Sequence, residues 1–214
     1  MKLRNKYVAL CALGLTIVSG LVFASGAAVS ERQAETATIG GPFTLSTTDG
    51  NTVSDRTYRG KWLLVYFGYT FCPNSCPAML LEIATALQQL GPDAGRVQPL
   101  FITIDPQRDT PQVIQQYTRS FDPRIEGLIG TPEQLAAAAH EYGAYYVRHR
   151  TGLGADDYVM DHSTYLYVMD PQGKFVRAFD AATSADQIAA ALRELIAQAS
   201  HQGSQGSKGS FGSG

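Results

Sequence analysis

Trp62-Leu63-Leu64-Val65-Tyr66-Phe67-Gly68-Tyr69-Thr70-Phe71-Cys72-Pro73-Asn74-Ser75-Cys76-Pro77-Ala78-Met79-Leu80-Leu81-Glu82-Ile83 decides how this chain folds. Residues 62–68 form a short apolar run, the pattern of a buried strand. After Pro77, apolar side chains recur at Met79, Leu80, Ile83, Leu87 and Leu90, one face of a helix, and Gly91-Pro92 stops it. Two cysteines therefore sit in a strand-to-helix turn, residues 69–77. Pro77 suits a first helical turn, where its missing N–H would be unpaired anyway. Cys76 is then close to the positive end of the helix dipole, which favours thiolate over thiol there. Cysteines at this separation can close a disulfide or share a metal ion. Two inert buried thiols are the bland reading.

Outward from this loop the same logic orders the rest. Residues 41–46 and 52–53 flank Thr48-Asp49-Gly50-Asn51, a hairpin signal. Residues 97–104 read as a second core strand, ending in Asp105-Pro106-Gln107-Arg108-Asp109-Thr110-Pro111. Asp109 or Thr110 can cap a helix that has Pro111 at its first position and runs to about Ser120. The segment Arg108 to Pro111 reads as helix cap and structural ion pair. Residues 125–129 suggest a third strand, Thr131-Pro132-Glu133 opens another helix, and residues 145–147 suggest a short strand. Residues 150–157 are glycine-rich and polar, the composition of a mobile loop. Residues 164–169 and 174–179 form a hairpin around Asp170-Pro171-Gln172-Gly173. Ser184 caps a last amphipathic helix to about Gln198, and the Gly/Ser-rich residues 200–214 read as a disordered tail. The expectation is an α/β fold, a central mixed sheet flanked by helices, with an N-terminal β-hairpin extension. Ligand chemistry in such sheets gathers beyond the strand C-termini, where the cysteine loop lies.

The chain has 214 residues, 44% hydrophobic and 17% charged, which fits one globular domain with appendages. A formal net charge of −2 argues against nucleic acid as a partner. Residues 1–28 differ in kind: Lys2, Arg4 and Lys6 precede an uncharged run that continues to Val29. That run is long enough to cross a bilayer, which needs about 20 apolar residues. A retained N-terminal membrane anchor is the preferred reading, with a cleaved signal segment as its rival. Either one exports the rest of the chain. Cys11 reads as plain membrane filler, residues 29–38 as a linker, and residues 39–199 as the functional domain.

A metal site would want a third ligand, and histidine is the natural candidate. His201 lies in the tail, His149 between Arg148 and Arg150, and His140 near a helix C-terminus. His162 stands in a turn before a core strand, beside Asp161, and both a ligand and a structural role are open for it. Tyr66, Tyr69 and Phe71 could screen a metal from water or simply fill the core. Asp161 could orient His162 or be a solvated turn residue, and Asp156, Asp157 and Asp161 read as a solvated acidic cluster.

Three blocks taken together, Cys72-Pro73-Asn74-Ser75-Cys76, Asp105-Pro106 with Arg108-Asp109-Thr110-Pro111, and Tyr158-Val159-Met160-Asp161-His162-Ser163, resemble the signatures of the SCO/SenC family. The resemblance runs in order from about Ile39 to Leu195. It implies a thioredoxin-like fold and one copper, Cu(I) or Cu(II), on Cys72, Cys76 and His162. It also implies a role in assembling the binuclear copper centre of cytochrome c oxidase subunit II, by copper transfer, thiol reduction or both. The implied location is the periplasmic face of the bacterial inner membrane. The implied partners are that subunit and another copper chaperone or a thioredoxin-like reductant. The rival functions are an exported thiol–disulfide oxidoreductase using the Cys72/Cys76 redox pair without obligatory metal, and a thiol peroxidase.

Overall fold

A computed structural model describes the backbone of residues 39–206 and the side chains of residues 39–201. The expected membrane segment, Cys11 and the linker lie outside the described residues, as do residues 207–214. No helix among the described residues is long and apolar enough to cross a membrane.

Strand β1 (Thr44–Thr47) and strand β2 (Thr52–Ser54) form the expected N-terminal hairpin. A 3-10 turn, Asp55–Tyr58, leads to β3 (Trp62–Gly68), buried along its whole length. Helix α1 (Ser75–Leu90) follows the cysteine loop and ends where Gly91 turns to a φ of 57°, as the glycine stop requires. Then come β4 (Val97–Thr103), α2 (Pro111–Phe121), β5 (Glu126–Ile129) and α3 (Pro132–Glu141). Both of these helices open with threonine then proline, and Thr110 and Thr131 accept the expected capping bonds from Val113 and Gln134 N–H. The remaining elements are β6 (Tyr146–Arg150), β7 (Tyr158–His162), β8 (Leu166–Met169), β9 (Phe175–Phe179) and α4 (Ala185–Gly206).

Seven strands form one mixed sheet in the order β2-β1-β5-β4-β3-β8-β9. β3, β4 and β5 run parallel, while β1 and β8 join antiparallel on either side. This is the expected thioredoxin-like arrangement. Leu64, Val65, Tyr66 and Phe101 are fully buried in its centre, and each such side chain contributes about 1.5–3 kcal/mol of transfer free energy. α1 lies against α4, where Glu82 accepts from Ala185 N–H and Asp186 from Gln89.

Two expectations are corrected. β6 is longer than three residues and pairs with β7 in a separate two-stranded ribbon whose tip is the glycine-rich segment. That segment is held, since Thr151 N–H donates to the Asp157 carbonyl and the Asp157 carboxylate accepts from Gly154 N–H. α4 runs past Gln198 to Gly206, into the stretch read as a disordered tail. No proline interrupts it, a glycine within a helix costs only about 1 kcal/mol, and Arg96 donates to the Ser200 hydroxyl.

Candidate metal centre

Cys72, Cys76 and His162 converge: one ligand atom from each lies within 4.8 Å of the others, and all three residues are buried. Cys72 precedes α1 and Cys76 lies in its first turn. His162 is the last residue of β7, not a turn residue as expected, and its Nε2 lies 3.6 Å from the Cys76 sulfur. Alternation along β7 turns Tyr158, Met160 and His162 inward and Val159 and Asp161 outward.

The imidazole is oriented by the main chain. His162 Nδ1 lies 2.8 Å from the Ser163 carbonyl. A carbonyl only accepts, so Nδ1 carries the proton and Nε2 presents its lone pair to the sulfurs. Asp161 does not orient the ring. Its carboxylate faces outward and accepts from the Tyr145 hydroxyl at 3.2 Å. Tyr69 meets the imidazole edge-on at 5.7 Å between ring centres. Tyr66 is fully buried and brings its hydroxyl to 3.9 Å from the Cys76 sulfur. Phe71 screens nothing: it is 57% exposed, beneath the Arg108 guanidinium.

The two sulfurs differ, in the opposite sense to that expected from the helix dipole. Cys72 accepts from the Cys76 N–H at 3.4 Å and lies 3.1 Å from the Ser75 hydroxyl. A hydrogen bond from the Cys76 thiol, with others from the Ser75 hydroxyl and the Cys76 N–H, holds Cys72 far below the ordinary thiol range despite its burial. Cys76 is pushed up by the bond it gives Cys72 and then by its own burial. The helix N-terminus thus serves the sulfur its N–H groups point at, Cys72, while Cys76 lies too deep to ionise easily.

A cleft of about 350 Å³ opens onto Cys72 and His162 between the cysteine loop, with Pro73, Asn74 and Ser75, and the outer residues Val159 and Asp161 of β7. A separate polar cleft of about 440 Å³, lined by Lys61, Arg119 and Glu126, contains none of the three donors.

Sequence reading understated the loop after β4. Asp109, 2% exposed, accepts from Thr70 N–H, the Thr70 hydroxyl at 2.5 Å and the Thr103 hydroxyl at 2.6 Å. It pins the cysteine loop to the end of β4. Arg108 does form an ion pair, but with the fully buried Asp105, at 2.6 Å, outside the segment read as carrying it. The signal was available: charged residues directly after a core strand, at the sheet end where ligand sites gather.

The donor set suits a soft metal. Thiolates select Cu(I) or zinc, and imidazole suits either. Structural zinc sites are closed by four protein ligands; the cluster here supplies three, two of them, Cys72 and His162, lining an open cleft.

Comparison with known proteins agrees with this geometry. A family model described as SCO1/SenC matches residues 31–197. Protein SenC of Rhodobacter capsulatus is 42% identical over 153 residues, covering 72% of this chain and 68% of the relative. Protein SCO1 homolog 1, mitochondrial, of Arabidopsis thaliana is 40% identical over 144 residues, covering 67% of this chain but only 42% of that protein. Solved structures of Arabidopsis thaliana ScoI with copper bound (TM-score 0.69, 37% identity, 75% of this chain and 99% of that one) and Bradyrhizobium japonicum ScoI with copper bound (TM-score 0.68, 42% identity, 73% and 98%) share the fold. This chain belongs to the SCO1/SenC family.

Proposed function

We propose that the chain binds one copper ion through Cys72, Cys76 and His162. In this reading it assists assembly of the binuclear copper centre of cytochrome c oxidase subunit II. The carrying observation is the three-donor cluster, with a lone pair on His162 Nε2 and an open cleft beside it. Two thiolates and a neutral imidazole hold Cu(I) firmly yet leave a direction from which a partner's thiolate can attack and take the metal by ligand exchange. The N-terminal run of residues 1–28, with its basic flank, would tether the domain at the periplasmic face of a bacterial inner membrane.

The different surroundings of the cysteines favour a second role, thiol reduction: Cys72 lines the cleft and accepts from the Cys76 N–H, while Cys76 is fully buried. An ionised Cys72 can attack a partner disulfide and form a mixed disulfide, releasing one partner thiolate. The Cys76 sulfur, on losing its proton, then attacks Cys72 and releases the second. The partner gains two electrons, and the chain is left with a Cys72–Cys76 disulfide.

The test mixes the reduced full chain, once copper-loaded and once metal-free, with the metal-free soluble domain of subunit II, prepared once as dithiol and once as disulfide. Copper appearing in the dithiol form supports donation. Reduction of the disulfide form by metal-free chain, without copper movement, supports the reductant role alone. Absence of both events would sink the proposal.

A further inference from the structure

The cysteines and His162 sit on two pieces of backbone that share no ladder. The cysteines belong to the β3–α1 turn of the large sheet, whereas β7 pairs only with β6 among the described residues. Chain continuity fixes the ribbon near His162, because β8 begins at Leu166. Its other end needs side chains to hold it.

Arg108 does most of that holding. Its side chain, 8% exposed, donates through Nε to Asp105 at 2.6 Å and through Nη1 to the carbonyls of Tyr158 at 3.0 Å and Asp156 at 3.2 Å. The guanidinium lies 3.6 Å from the Tyr158 ring centre and 4.7 Å from that of Phe71. The Tyr158 hydroxyl donates back to Asp105 at 2.7 Å. One cation thus touches the end of β4, the cysteine loop and the ribbon together. A smaller tie lies nearby, Met160 N–H donating to the Tyr69 hydroxyl at 3.3 Å. Arg108 Nη2 is buried without a hydrogen-bond partner. An unpaired buried donor costs stability, so stability alone does not account for an arginine here. The planar fork reaches several acceptors at once, which an ammonium on a flexible stem does not.

We propose that Arg108 is a positioning residue: it sets the separation between the His162 imidazole and the two sulfurs by fastening the β6–β7 ribbon to the end of the large sheet. The copper half of this proposal rests on the three-donor reading; the mechanical half does not.

The test uses the full chain with Arg108→Met and with Arg108→Lys, which keeps a charge beside Asp105, each alone and combined with His162→Ala. In the metal-free proteins, amide exchange of residues 158–162 should quicken about tenfold or more while β3 keeps its protection. In Cu(I) competition titrations, affinity should fall on the order of 10–100-fold, and that loss should vanish in the His162→Ala background. A mere weakening of the fold would deprotect β3 and add to the His162→Ala loss, overturning the proposal. Unchanged ribbon exchange in both variants would overturn it too, whatever copper does. A wild-type chain that binds no Cu(I), with a ribbon that still loosens, would remove the three-donor reading and support the mechanical half.

Discussion

Gly68 closes β3 directly beneath the metal centre, and a methyl group there has nowhere to go. A Cβ at this position would lie 2.8 Å from the Cys76 sulfur, 2.8 Å from Phe101 Cε2 and 3.1 Å from Tyr66 Cε1. Unstrained carbon contacts lie at about 3.5–4.0 Å, so the neighbours must retreat by several tenths of an ångström or more. All three are fully buried. Overpacking of this kind costs about 1–3 kcal/mol. For a chain of this size that lowers Tm by about 2–12 °C. The displaced sulfur should also weaken Cu(I) affinity on the order of 10–100-fold. Gly127→Ala is the control, since its Cβ collides with Ile114 Cγ2, away from all three donors. Thermal unfolding and competitive Cu(I) titration of both variants form the assay. Both should lose stability, and only Gly68→Ala should lose affinity. Equal stability loss with wild-type affinity in Gly68→Ala would refute the placement of the Cys76 sulfur as a metal donor.

Asp109→Ala strands the Thr70 and Thr103 donors and should cost about 1–3 kcal/mol in denaturant unfolding; an unchanged midpoint would remove Asp109 as the pin of the cysteine loop. Burial raises the Asp109 carboxyl, so the native state holds its proton more tightly than the unfolded chain does. Wild-type stability should therefore fall relative to Asp109→Asn as pH rises from the unfolded carboxylate value, about 3.9, through the raised native one; parallel stability curves would contradict this. Cys72 is held far below the ordinary thiol range by its bond from Cys76. In the reduced, metal-free chain it should be alkylated by iodoacetamide at a rate nearly independent of pH between about 5 and 8. Cys76→Ala removes the largest of the bonds to Cys72 and should move the onset of pH dependence upward, and a wild-type rate rising tenfold per pH unit would refute the assignment. Asp161→Asn should leave copper affinity unchanged, because that carboxylate faces Tyr145 and not the imidazole; a loss beyond about threefold would reinstate it as an orienting group.

What the sequence revealed was local. The apolar run at β3, the threonine–proline helix starts and the Asp49-Gly50 turn each carry their signal within a few residues, and all appear in the structure. The three donors were legible because three separated motifs matched one family. What stayed hidden depends on contacts distant in the chain. β6, whose residues are mostly exposed, lacks a strand's apolar alternation and is defined by its ladder with β7. The helix dipole alone would charge Cys76, but Cys76 is the deeper sulfur, and depth is not written in the local sequence. Asp109 looked like a helix cap, yet two of its bonds go to Thr70, 39 positions away. Asp161 stands next to His162 in sequence, but strand alternation sends the two side chains to opposite faces.

The most direct test of the three-donor site is copper stoichiometry with the absorption spectrum of the reduced full chain loaded with Cu(II), beside Cys72→Ser, Cys76→Ser and His162→Ala. The expected result is one copper per chain, with an intense thiolate-to-copper band that each of the three substitutions abolishes or shifts. An unchanged band and affinity in His162→Ala, or no stoichiometric binding by the wild-type chain, would contradict it and leave the two cysteines as a redox pair alone.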